Sequence, residues 1–104
     1  MLKCKITVVK RTIHTDLAKK YCKDEVAACP CFTEGQEFVT GLEKPSGFCD
    51  WAWNDILRFV TVLLAGGDFS SGIFEGWMRD ENTMIACCTD GIRPVAFKLE
   101  RIDS

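Results

Sequence analysis

Leu2, Cys4, Ile6 and Val8 alternate with Lys3, Lys5, Thr7 and Val9 at the start of the chain. That two-residue period predicts a strand with one buried face. Thr15 or Asp16 then caps a helix whose apolar positions, Leu17, Ala18, Tyr21, Cys22 and Val26, recur at helical spacing. The segment CPCFTEGQEF, broken by Pro30 and Gly35, reads as a loop entering a short strand around Glu37 to Thr40. After the polar loop GLEKPSG, Trp53, Ile56, Leu57, Val60, Leu63 and Leu64 trace a broad apolar helix face, with Asn54, Arg58 and Thr61 turned away from it. Asp50 is the expected N-cap of this helix, and Gly66 and Gly67 are expected to end it in left-handed conformations.

The glycine-punctuated stretch GDFSSGIFEGWMRDEN is longer than a compact domain usually leaves unstructured. Its Phe69, Phe74 and Trp77 are expected to pack over the core, with a lid or an oligomer contact as the other readings. Strands over about 83 to 88 and 93 to 102 then form a hairpin, turning at Asp90-Gly91 as a two-residue type I′ turn. The order β-α-β-α-β-β predicts one α+β domain over residues 1–104. It is a small, largely antiparallel sheet with two helices packed on one face and a C-terminal hairpin.

Composition limits what such a domain can do. Of 104 residues, 47% are hydrophobic and 27% charged, which suits a folded globule and not a disordered tail. The run ILRFVTVLLAGG is interrupted by Arg58 and falls short of the roughly 18 apolar residues a membrane span needs. The thirteen Lys and Arg residues are scattered and the net charge is −2, so neither nucleic acid nor membrane is an expected partner. The segment MLKCKITVVKR lacks the apolar core of a secretory signal, and a cytoplasmic location is expected.

Seven cysteines change the picture. In a reducing compartment they point to metal binding or thiol chemistry, not to a disulfide framework. Cys4 on the inward phase of the first strand and Cys22 on the first helix's stripe read as core residues. Cys29 and Cys31 flank Pro30 in a loop that can turn both sulfurs toward one ion. Cys49 immediately precedes the central helix, where unpaired N–H groups favour negative charge, although Asp50 opposes that effect. Cys87 and Cys88 are adjacent on a strand and so point to opposite faces. A two-residue turn would pair Cys88 with Arg93, whose guanidinium favours a thiolate, and Cys87 with Pro94. No C-x-x-C spacing is present, so any metal site has to be assembled from separated segments.

Other groups matter less. His14, the sole histidine, reads as a surface residue. Asp55 lies one helical turn after Trp51 and Asp90 in a turn, and each is a candidate for proton transfer. Trp51 and Trp53 project about 160° apart around a helix, so one can enter the core while the other meets a site or a partner.

Three segments carry a resemblance: CP with GQEF, at Cys29, Pro30, Gly35 and Phe38; GFCDWAWND, from Gly47 to Asp55; and CCTDGIRPVAFKLERI, from Cys87 to Ile102. In them the chain resembles a family of small, cysteine-containing proteins of about this length, found mostly in anaerobic bacteria and archaea, for which no activity is established. The resemblance implies a cytoplasmic, oxygen-poor setting in which exposed iron–sulfur centres survive. Cys31 departs from the family pattern.

The expected function is therefore a cysteine-ligated metal or iron–sulfur protein, with zinc as the alternative metal. Cys29, Cys49 and Cys88 are its ligands, Cys87 or Cys31 a fourth, and Arg93 offsets the negative charge. Its candidate partners are a redox protein or a small anionic ligand, and a missing fourth ligand would leave iron open to substrate. Two other classes stay open. One is a thiol-dependent enzyme using Cys88 or Cys49 as nucleophile, Arg93 as anion binder and Asp55 or Asp90 for proton transfer. The other is a homo-oligomeric binding module that meets its partners through Trp51, Phe74 and Trp77.

Overall fold

In the computed structural model, which describes residues 1–103, the chain runs β1 (Leu2–Arg11), α1 (Thr15–Tyr21), β2 (Glu37–Thr40), α2 (Asp50–Leu64), β3 (Thr83–Cys87) and β4 (Val95–Asp103). A 3-10 turn, Gly72–Phe74, lies in the connection between α2 and β3. All strand pairings are antiparallel and the sheet order is β2-β1-β4-β3, an α+β fold with a C-terminal hairpin. No helix among the described residues is long and apolar enough to cross a membrane.

Alternation builds the core face. Cys4, Ile6 and Val8 of β1 stand beside Val95, Phe97 and Leu99 of β4 and Met84 and Ala86 of β3, all buried. Ala52, Trp53, Ile56, Val60 and Leu63 of α2 cover them, the helical stripe the sequence predicts. Trp53 goes inward and Trp51 stays 69% exposed, as rotation about the helix requires. The long connection after α2 packs inward through Phe69, whose ring meets Phe59 and Phe74 edge-on at 6.0 and 5.6 Å, whereas Trp77, expected to pack with them, stays 72% exposed.

One irregularity redirects the main strand. The pairing of β1 with β4 shifts between Val8 and Lys10, so that Val8 faces Phe97, Lys10 faces Ala96 and Arg11 faces Val95. This bulge at Val9 inserts one extra residue and reverses the phase beyond it. A strict two-residue period would turn Lys10 toward the core. Instead Arg11 shares the face of Val95.

Several boundaries differ from expectation. α1 ends at Tyr21 and buries only Ala18, so Cys22 sits at its C-cap, half-buried and outside the core cluster. The N-cap of α1 is His14 and that of α2 is Cys49, each without a side-chain cap bond. At the end of α2 only Gly66 takes a positive φ, of 84°. The hairpin is wider than a two-residue turn, because Cys87 faces Ala96 and the Cys88 N–H donates to the Val95 carbonyl at 3.0 Å. Cys88 therefore lies opposite Val95 and not Arg93. The cause is Asp90, whose Oδ1 accepts the N–H groups of Ile92 at 2.8 Å and Arg93 at 3.0 Å, closing the loop around its own carboxylate. Gly91 has no positive φ, which a type I′ turn demands.

Candidate functional site

At the end of the sheet where β1 and β3 finish and β4 starts, beside the N-terminus of α2, lies a cavity of about 110 Å³. Cys29, Cys31, Cys49 and Cys88 line it, together with Trp51, Asp90 and Arg93. The four thiols come from three segments far apart in the chain: the loop before β2, the N-cap of α2 and the residue after β3.

Packing of their neighbours explains the convergence. Phe32 follows Cys31 and Phe48 precedes Cys49, and both rings are buried, at 3% and 2% exposure. Their centroids lie 4.9 Å apart, and each also meets Phe97 of β4, at 5.1 and 5.5 Å. Aromatic burial of this size dominates local energetics, so the two phenylalanines fix both cysteine segments to the sheet. Phe38 closes the cluster, 5.0 Å from Phe48 and 6.2 Å from Phe32.

Arg11, brought to this end by the bulge, donates from Nη1 to the Cys29 carbonyl at 3.0 Å. Its Nε is buried with no partner, and its backbone N–H binds Glu34 Oε1 at 3.1 Å. Two backbone bonds draw the hairpin loop to the same place, Thr12 N–H to the Pro94 carbonyl at 3.0 Å and His14 N–H to the Ile92 carbonyl at 2.8 Å. The His14 side chain is exposed and does not line the cavity. Local sequence gave no sign of Arg11, because its role depends on a bulge that periodicity does not reveal.

A hydrogen bond to Cys29 raises the Cys31 thiol above its ordinary range, burial and the sulfurs of Cys29 and Cys49 add to this, and Arg93 opposes it. Cys31 thus holds its proton against Cys29. The Val95 N–H donates to Cys88 Sγ at 3.3 Å. Arg93 reaches the cavity as expected, but its Nε pairs with Asp90 Oδ2 at 3.3 Å, so its charge is shared with that carboxylate.

Cys87 does not join the four. It is exposed and absent from the cavity lining, as alternation along β3 requires. Burial of part of its surface raises its thiol, and the neighbouring Cys88 sulfur, Asp55 and Asp90 add to the effect. Asp55 also lies outside the cavity, with Oδ2 buried and unpartnered. Among the described residues no group of three or more His, Cys, Asp or Glu side chains stands in an arrangement that could hold a metal ion. No family model, curated protein or solved structure matches the chain.

Proposed function

We propose that this protein holds an iron–sulfur cluster through Cys29, Cys49 and Cys88, with Cys31 as the fourth ligand in place of Cys87. The convergence of four thiols from three separated segments on one cavity of about 110 Å³ carries this reading. Any bound metal draws thiolates to about 2.3 Å, so the four sulfurs would close in on it when it binds. The Val95 N–H on Cys88 Sγ is a hydrogen bond of the type that tunes cluster potentials, and Arg93 adds a cation at the rim.

Electron transfer is the chemistry such a centre supplies. Cys31 is the exposed member of the four, so it is the ligand a substrate would reach first. Purification without oxygen, followed by reconstitution with iron and sulfide, should give a brown protein. Cys29→Ser, Cys49→Ser and Cys88→Ser should each lower the bound iron severalfold, and Cys87→Ser should leave it unchanged. A colourless protein without iron or zinc by elemental analysis refutes the reading.

A further inference from the structure

We propose that Cys29 and Cys31 are a reversible dithiol–disulfide couple, oxidised by exchange with a small aliphatic disulfide, and that closing this bond empties the cavity of two of its four thiols. The pair is separated only by Pro30, and both residues line the same cavity. Cys31 is exposed and Cys29 half-buried, so a small disulfide can reach the pair from solvent. With one residue between them and both facing one cavity, little chain entropy is left to lose when they join. The other adjacent pair, Cys87 and Cys88, is divided between the exposed face and the cavity.

Exchange proceeds in two displacements. One thiolate of the pair attacks a sulfur of the small disulfide RSSR, forming a mixed disulfide and releasing RS⁻. The second protein thiolate attacks the protein sulfur of that mixed disulfide, forming the Cys29–Cys31 bond and releasing a second RS⁻. The two protons lost by Cys29 and Cys31 go to the two RS⁻ ions. The protein gives up two electrons, and RSSR is reduced to two RSH. A disulfide closed over one intervening residue is tight and exposed, the kind that is reduced readily and so works as a switch.

The consequence for the cavity rests on the ligand role proposed above, whereas the exchange itself does not. Metal-free protein, fully reduced and then treated anaerobically with oxidised glutathione, is acid-quenched, alkylated and cleaved after glutamate. Cuts after Glu25 and Glu34 release residues 26–34, in which Cys29 and Cys31 are the only cysteines. The expected peptide lacks two hydrogens and takes no alkyl group, and dithiothreitol restores double alkylation. A doubly alkylated peptide, a persistent glutathione adduct, or a bridge to Cys49 or Cys88 overturns the proposal. Cobalt(II) added to both forms separates the two ideas. Thiolate-to-cobalt absorption is expected in the reduced form and lost in the oxidised one. If the disulfide forms but the reduced protein gives no such band, the ligand role fails and the exchange stands. If the band appears but no disulfide forms, the exchange fails alone.

Discussion

Single residues at the two ends of the core face do different work. Cys4 is wholly buried beneath α2, and burial pushes its thiol from the ordinary 9.0 up to about 11. Its folded value lies above its unfolded one, so its contribution to stability is complete below pH 9 and is lost as pH rises through 11. Two units correspond to about 2 to 3 kcal/mol as an upper bound. Denaturant midpoints of wild type should therefore fall more steeply between pH 9 and 11 than those of Cys4→Val, and parallel curves would remove this account. Arg11 acts through Cys29. Arg11→Met removes a charged donor from the Cys29 carbonyl, a loss of about 1.5–3 kcal/mol for a bond of this class. Because that bond orders the loop, the expected outcome is weaker cobalt binding together with a melting temperature lowered by roughly 6–24 °C. Arg11→Lys should recover part of it. Unchanged cobalt affinity in Arg11→Met would show that the loop holds its shape without the arginine.

At the level of elements, the site depends on how loops are tied to the sheet. Phe48 lies between Phe32, Phe38, Phe97 and Trp53, so Phe48→Ala should cost about 3–5 kcal/mol. Phe32→Leu keeps most of the apolar volume and should cost far less, yet loosen the segment that carries Cys29 and Cys31. Chemical denaturation beside iron loading distinguishes the two, since loading should fall in Phe32→Leu out of proportion to its stability. Arg101 does the corresponding work at the far end of the sheet, donating to the Leu63 carbonyl at 3.2 Å and the Gly67 carbonyl at 2.6 Å. Those bonds satisfy the C-terminus of α2, which has no basic residue in its last turn. The elements themselves were legible, because β1 and α2 carry regular periods that burial then rewards. The end of α1 and the width of the hairpin were not. The apolar pattern runs on through Cys22 and Val26 where the helix has nothing to pack against, and Asp-Gly signals a tight turn only when the aspartate does not bind its own loop.

For the molecule as a whole, the candidate site is a property of the assembled fold. Cys29, Cys49 and Cys88 could be singled out from a loop, a helix start and a hairpin, but nothing in the chain's local patterns states that Phe32 and Phe48 dock side by side on Phe97. Cys31 was the harder case: local patterns did not choose between it and Cys87, whereas the cavity includes it and omits Cys87. Since the three cysteine segments meet only in the native state, a group bound by all of them stabilises folding by mass action. Free ligand at a hundred times its dissociation constant contributes about 2.7 kcal/mol. In a domain of about 100 residues each kcal/mol moves the melting temperature by roughly 4–8 °C, so loading should raise it by about 10–20 °C. Differential scanning calorimetry of reconstituted and metal-free protein measures this directly. Cys87→Ser should keep the whole increment and Cys49→Ser should lose most of it, although both remain folded without metal. An equal increment in both variants would mean that the stabilising group sits elsewhere on the molecule.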